Sequence, residues 1–289
     1  MMLESELFEK IRIGKKLNLE KAILISYGYN DEKEIAQYIS KITRLNKTFR
    51  KFASKGLNVR KKTARALYNF LWQDSIMGVY EAMHAFRLGK GREKRNLEED
   101  EQVGECVRRT IFCSLMGVRQ GLDMRALYNG CHVLSRVRIG KRFIDIENTS
   151  EEGINGFDIW TQGSHCRTFE GLKEGNLIDL IGLTYKNRGF IETENKHWKK
   201  AITYYDRAIE IIPHYPSTYI CRGEAKENLG WMNKAIEDYD KAIEIDSKNI
   251  NSYKNRGEAK LKIKDEEGAR QDLEKSRRLL DALMNKRRY

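Results

Sequence analysis

An Arg-Gly pair recurs three times in the last third of this 289-residue chain. The pairs are Arg188-Gly189, Arg222-Gly223 and Arg256-Gly257. Each glycine follows the previous one by 34 residues. A fixed period of this length is typical of repeat proteins, in which one unit cannot bury its apolar face alone and neighbouring units must stack. The period therefore restricts this part of the chain to a stack of similar units that share one core.

Other positions keep the same phase as these glycines. Tyrosines precede each glycine, and small or large apolar residues follow it at constant distances. They are Tyr185, Tyr219 and Tyr253; Ala201, Ala235 and Ala269; Tyr205, Tyr239 and Leu273; and Ala208, Ala242 and Ser276. This pattern resembles the tetratricopeptide repeat over about residues 182–283. We predict an all-α domain at 182–289, with repeats at 182–215, 216–249 and 250–283 and a short basic tail.

Each repeat is expected to form two antiparallel helices, and the in-phase residues are expected to be packing residues. Binding in such arrays occurs on the concave surface, which the first helix of each repeat lines. Candidate peptide-binding residues there are Lys186, Asn187, Phe190, Lys254 and Asn255. Lysine and asparagine donors suit a peptide carboxylate, but the second repeat has Ile220-Cys221 at the matching place. Two alternatives stay open: a groove that binds a protein or peptide, and a solvated groove without a specific ligand.

Residues 1–181 have a different pattern, which predicts an α+β domain. The first part, 1–66, contains no proline and is expected to be helical. Apolar residues that share one helix face there are Ile35, Ile39, Ile42 and Leu45. The core is predicted at about 67–160: an apolar helix follows Cys106, and strands are expected after Gly121, from His132 and from Arg142. The domain is therefore expected to place helices around a small antiparallel sheet.

The order of three residue types in this core predicts a thiol site. Cys106 is expected at a helix N-terminus, where the dipole and free N–H groups favour a thiolate. His132, at the start of a strand, is placed to accept the thiol proton and later to protonate a leaving group. Asp145 and Glu147 lie two residues apart on the next strand and so share a face. Either acid is a candidate to orient His132.

The motifs G-E-C at residues 104–106, C-H-V-L-S-R-V at 131–137 and F-I-D-I-E-N-T at 143–149 resemble those of bacterial transglutaminase-like proteins with tetratricopeptide repeats. The resemblance covers nearly the whole chain and is best over 100–155. It implies a papain-like core with a Cys-His-acid site. No cofactor or metal is expected, because the cysteine and histidine spacing is not that of a metal site. The family pattern D-x-T falls on Glu147-Asn148-Thr149, so the acid has a different residue type here.

Composition limits the classes of binding partner and the cellular compartment that we expect for this protein. The net charge is +12, and nine basic residues without an acid lie between Arg44 and Arg65. No nucleic-acid motif or aromatic platform accompanies this run, so nucleic-acid binding is the weakest hypothesis. Five cysteines without paired spacing indicate reduced thiols. Since neither a signal peptide nor a membrane span is evident, we expect a cytoplasmic protein with no membrane partner.

Two functional hypotheses follow from the sequence. The first is a cysteine-dependent acyl-transfer enzyme, with hydrolysis favoured over cross-linking, whose repeats recruit a protein or peptide. In it, Cys106 attacks an amide carbonyl and His132 acts as base and then as acid. The second is a non-catalytic adaptor, in which the repeats bind a partner and the transglutaminase-like domain is a scaffold. The glutamate in place of aspartate and the lack of any substrate signature motivate this alternative, whereas the ordered Gly104, Cys106, His132 and paired acids motivate the enzyme.

Overall fold

The computed structural model describes residues 2–53, 105–129, 132–146 and 172–286. Its helices are α1 (Met2–Arg12), α2 (Leu19–Ser26), α3 (Glu32–Ala53), α4 (Glu105–Arg119), α5 (Asp179–Glu194), α6 (Trp198–Ile211), α7 (Pro216–Asn228), α8 (Met232–Ile245), α9 (Ile250–Lys262) and α10 (Glu266–Lys286). Its strands are β1 (Asp123–Tyr128), β2 (Val133–Ile139), β3 (Arg142–Ile146) and β4 (Lys173–Gly175). The chain divides into two compact units, Met1–Thr184 and Tyr185–Tyr289.

Helices α1 to α3 bury apolar residues at helical spacing. In α2 the Asn18 side chain caps the helix by accepting from the Lys21 N–H at 3.0 Å. In α3, Ile35, Ile42 and Leu45 are buried and Ile39 is half-buried, which confirms the predicted helix face. The remainder of the predicted helical part, residues 54–66, lies outside the described residues.

The sheet of the first unit is antiparallel, with the strand order β3-β2-β1-β4. Tyr128 pairs with Val133 between β1 and β2, and Ser135 pairs with Ile146 between β2 and β3. Strands β1, β2 and β3 lie where the sequence predicted strands, so the prediction of a small antiparallel sheet is confirmed. The sequence analysis missed β4, because its three residues K-E-G carry no apolar alternation.

Helix α4 packs on one face of this sheet through short polar side chains. The Thr110 hydroxyl donates to the Val133 carbonyl at 3.2 Å, and the hydroxyls of Ser114 and Ser135 lie 3.4 Å apart. At Gly117 the backbone is so close to the sheet that a Cβ would lie 2.5 Å from the Met124 sulfur. A larger residue at this position would require the Met124 side chain to move, so glycine allows α4 to pack closely on β1.

The end of α4 is tied to the N-terminal helices. The Arg119 guanidinium donates from Nη2 to Glu20 Oε2 at 2.7 Å and from Nη1 to the Thr43 hydroxyl at 3.0 Å. Gln120 donates to Asn46 beside it. A paired guanidinium–carboxylate contact of this kind fixes orientation as well as position, so the end of α4 is held against α2 and α3.

In the part of the chain that the structure describes, no helix combines the length and the apolar character that crossing a membrane requires.

Candidate functional site

Within each repeat of the second unit, a glycine lets the two helices touch. A Cβ added at Gly189 would lie 2.5 Å from the Tyr205 ring, and one at Gly223 would lie 2.6 Å from the Tyr239 ring. The alanines in phase with them are fully buried: Ala201, Ala208, Ala235, Ala242 and Ala269. These positions are packing residues, as the sequence predicted.

The arginine before each glycine has a role that the sequence analysis missed. Arg222 donates through Nη2 and Nε to the two Asp238 oxygens at 2.6 and 3.0 Å, and Lys226 reaches the same carboxylate at 2.7 Å. The Nη1 atom of Arg222 donates to Asp206 of the preceding repeat at 2.6 Å. Arg222 therefore joins the second helices of two successive repeats.

The third repeat reproduces this arrangement. Arg256 donates to both Asp272 oxygens at 2.5 and 2.8 Å and to Asp240 of the preceding repeat at 2.6 Å. Burial alone would raise the pKa of Asp272, but hydrogen bonds from Arg256 and Lys260 lower it below its usual value. We call these contacts, centred on Arg222 and Arg256, the arginine ladder.

The first repeat departs from the ladder. Tyr204 stands where the later repeats have Asp238 and Asp272. The Arg188 guanidinium lies 4.2 Å from the centre of the Tyr204 ring and donates to its hydroxyl at 2.6 Å. At this end of the array the arginine thus makes a cation–π contact with the residue that stands at the acid's position.

The first helices of the repeats carry the predicted groove residues. Lys186, Asn187 and Phe190 are half-buried on α5, and the Lys254 side chain on α9 is 57% exposed. Asn255 is engaged: its Nδ2 donates to Glu224 Oε1 on α7 at 2.8 Å. The structure therefore connects one predicted donor to a carboxylate of the neighbouring repeat.

Glu224 stands in an environment that disfavours its charge. Burial raises the pKa of its carboxyl group, the hydrogen bond from Asn255 lowers it, nearby Glu227 raises it and the Lys186 ammonium lowers it. The net direction is upward. The carboxylate is therefore only partly compensated by its surroundings.

A second polar row crosses the groove one helical turn further along α7. Glu227 accepts from the Tyr239 hydroxyl at 2.9 Å and from the Lys262 ammonium of the next repeat. Leu261, beside Lys262, is an exposed apolar side chain. This part of α7 and α9 thus combines a compensated carboxylate with an exposed apolar side chain.

In the first unit, Cys106 lies in the first turn of α4, as predicted, and is half-buried. Cys113, two turns later, is fully buried. Burial raises the pKa of the Cys113 thiol to about 12, with Ser135 opposing the shift through a hydrogen bond. Cys113 is therefore an inert packing residue, and the two thiols differ in access although they share a helix.

His132 directly precedes β2 and is buried. Its N–H donates to the Asn129 side chain at 2.9 Å, and its carbonyl accepts from the Asn129 N–H at 3.0 Å. These bonds extend the β1–β2 pairing by one position. By strand alternation His132 shares a face with Arg136, whereas Ser135 faces α4. Strict alternation would place the His132 side chain on the sheet face away from α4, which carries Cys106. A pairing of His132 with Cys106 therefore requires that the alternation stop at Val133 and not include His132.

Asp145, the first candidate acid, is paired with an arginine. Arg136 donates to its two oxygens at 2.7 and 2.9 Å and to Glu174 on β4 at 3.0 Å. Glu147, the alternative acid, lies outside the described residues, as do Gly104 and Cys131. In the described ranges no group of three His, Cys, Asp or Glu side chains is arranged to hold a metal ion. The triad itself stays a prediction.

Comparison with protein families found a match to the tetratricopeptide repeat over residues 217–249. The chain is similar to the tetratricopeptide domain of OM64 from Arabidopsis, at 27% identity over 35% of this chain and 84% of that one, with a TM-score of 0.35. It is also similar to that of Sgt2 from Aspergillus fumigatus, at 28% identity over 35% and 66%, with a TM-score of 0.34. Another similar structure is the first such domain of Spaghetti bound to an HSP90 peptide, at 23% identity over 34% and 78%, with a TM-score of 0.34.

A comparison with curated proteins found no match. The family match and the in-phase residues, rather than the low-scoring structural likenesses, carry the assignment of the second unit. The match does not extend into residues 1–181, where the resemblance to transglutaminase-like proteins stays a prediction. The second unit is an array of tetratricopeptide repeats.

Proposed function

We propose that this protein is an interaction adaptor whose repeats bind a peptide segment of a partner protein along the concave groove. The observation that carries the proposal is the contrast between the two surfaces of each first helix. On α9, Gly257 and Ala259 are buried in the packing, whereas Lys254 and Glu258 face solvent in the groove. The apolar residues of the repeats thus pack between the helices, and a row of polar residues stays exposed for a ligand.

The groove is suited to an extended main chain with alternating side chains. Lys186, Asn187 and Lys254 supply donors, and Phe190 and Leu261 supply apolar surface. Such a surface binds a peptide through a few well-placed polar contacts and apolar anchors rather than through area alone. The protein or peptide partner predicted from the sequence is therefore the partner we propose.

The test is selection of peptides from a random displayed library by the full-length protein, followed by calorimetric titration of the selected sequences. The groove variant is Lys254→Ala with Glu258→Ala, which removes an exposed pair 3.8 Å apart on α9. The matched control is Lys241→Ala with Glu244→Ala, an exposed pair 2.7 Å apart on α8. We expect the groove variant to bind at least about tenfold more weakly and the control to bind within about twofold.

Two results would contradict the adaptor proposal. One is a library from which no sequence is enriched over an unrelated protein. The other is an equal loss of affinity in the α8 control, because the peptide would then not lie on the concave surface. Unchanged far-ultraviolet circular dichroism of both variants separates loss of binding from loss of fold.

A second candidate function is supported by the difference between Cys106 and Cys113. We propose that Cys106 is the nucleophile of a thiol hydrolase or acyltransferase, with His132 as base and Glu147 or Asp145 as the orienting acid. Only Cys106 of these two thiols is accessible, and it occupies the helix turn where a thiolate is favoured. The pairing of Asp145 with Arg136 makes Glu147 the better candidate for the acid.

The thiol proposal predicts selective alkylation. With iodoacetamide at mildly acidic pH, Cys106 of the native protein should react at least about tenfold faster than Cys113 and Cys221, as followed by mass spectrometry. His132→Ala should abolish this advantage, because the imidazole accepts the thiol proton. A Cys106 rate that is unaffected by His132→Ala would exclude the predicted pair.

A further inference from the structure

The middle repeat places a carboxylate where a peptide carboxylate would need donors. Glu224 on α7 interacts with both neighbouring first helices of the groove. It accepts a hydrogen bond from Asn255 on α9 at 2.8 Å. The Lys186 ammonium on α5 attracts it electrostatically. Both are residues that the sequence predicted as donors for a ligand carboxylate. The groove therefore supplies this carboxylate itself.

The charge on Glu224 has a cost for folding. Because its pKa is raised in the folded protein, the folded state binds the proton more tightly than the unfolded state does. Stability therefore increases as the pH falls through the folded pKa, and ionised Glu224 weakens the fold at neutral pH. A glutamine would keep an oxygen acceptor for Asn255 without the charge. Packing alone thus does not account for a glutamate here.

We propose that Glu224 determines the specificity of the groove: it rejects ligand carboxylates and binds a lysine or arginine side chain of an extended peptide. This inference rests on the proposed peptide-binding function and names the chemistry of its ligand. Rejection follows because an acidic group near Asn255 would meet a like charge across a partly desolvated groove. Attraction follows because a ligand cation would compensate a carboxylate that its surroundings compensate only in part.

A comparison with Glu227 shows why Glu224 is the glutamate that we expect to bind a ligand cation. Glu227 has one oxygen bonded to the Tyr239 hydroxyl and the other to the Lys262 ammonium. Among the described residues, the hydrogen bond that Glu224 accepts comes from Asn255 and reaches Oε1. Within the part of the chain that the structure describes, Oε2 accepts no hydrogen bond, so it is the oxygen at which we expect a ligand N–H donor to bind. Lys186 has a long flexible stem, so its ammonium can move aside when a cationic ligand binds.

The test compares three proteins on one positional peptide library with free and amidated C-termini. They are the wild type, Glu224→Gln and Glu244→Gln. Glu244 is the matched control, because it lies on α8, away from the first helices that line the groove, and its side chain is 68% exposed. We expect the wild type to favour lysine or arginine over glutamate at one position by at least about tenfold. Glu224→Gln should lose this preference and Glu244→Gln should keep it.

A wild type that prefers acidic residues or a free C-terminal carboxylate would overturn the inference, as would Glu224→Gln with an unchanged basic preference. If peptides bind without any charge preference, the adaptor proposal stands and this inference fails. If no peptide binds any of the three proteins, both fail. Thermal unfolding provides the control for folding: Glu224→Gln should melt at the same or a higher temperature than the wild type.

Discussion

Replacing Asp238 by alanine is expected to lower the free energy of unfolding of the repeat unit by about 3–5 kcal/mol. The Asp238 side chain is 4% exposed and accepts from Arg222 and Lys226. Arg222 is itself only 18% exposed. The Asp238→Ala substitution leaves Arg222 and Lys226 without the carboxylate that they share. The cost is that of uncompensated buried charge, which exceeds the worth of any one hydrogen bond.

Asp206 offers a matched control on the same arginine. It lies 2.6 Å from Arg222 Nη1, but its side chain is 54% exposed. Asp206→Ala is therefore expected to cost less than about 1 kcal/mol, because solvent screens the pair. Hydrogen exchange of peptides from residues 216–249, read by mass spectrometry in increasing urea, measures both variants in the intact protein. Equal losses from the two substitutions would show that burial does not govern the arginine ladder.

Replacing Gly223 by valine is expected to cost about 3 kcal/mol. A Cβ at this position would lie 2.6 Å from the Tyr239 ring, closer than non-bonded carbon atoms approach each other in proteins. Tyr239 is fully buried, and its hydroxyl is held by Glu227, so the ring has little freedom to move. Overpacking of this kind costs about 1–3 kcal/mol, and a β-branched residue adds a helix penalty. Thermal melting followed by circular dichroism at the helix bands measures the loss.

The third repeat supplies the comparison for this prediction. A Cβ at Gly257 would meet the side chain of Leu273 at 2.9 Å, and Leu273 is only half-buried. A flexible aliphatic side chain can turn away where a fixed ring cannot, so Gly257→Val should destabilise the array less than Gly223→Val does. The reverse order would mean that the helix contact in the third repeat is the tighter one.

The repeat period predicted the helices of the second unit and their packing residues, but not the polar contacts between them. Arg222 and Asp238 lie 16 residues apart, and Asn255 and Glu224 lie 31 apart. Neither spacing corresponds to one face of a helix. These pairs become visible only when the angle and the order of the stacked helices are known. A period-34 search for acids as well as glycines would have found Asp238 and Asp272.

In the first unit the sequence predicted β1, β2 and β3, with alternation as the signal for β2, and an apolar run predicted α4, because burial of one face leaves a direct trace in sequence. The candidate site depends on finer information. Asp145 and Arg136 occupy paired positions on β3 and β2, so the register joins the acid to an arginine rather than to His132. Sequence order alone cannot reveal such a pairing, since a shift of one residue would exchange the two faces.

The arginine ladder gives the array a direction. Each ladder contact joins an arginine to an acid of its own repeat and to an acid of the repeat before, so the arginine of a repeat added after α10 would need an acid on α10 as its partner. The acceptor for such a unit already exists: Glu274 on α10 stands 34 residues after Asp240, as Asp240 stands 34 after Asp206. At present it is paired with Arg278 at 2.5 Å. A further repeat grafted after α10 could therefore use Glu274 as the acid partner of its own arginine, as Arg222 uses Asp206 and Arg256 uses Asp240.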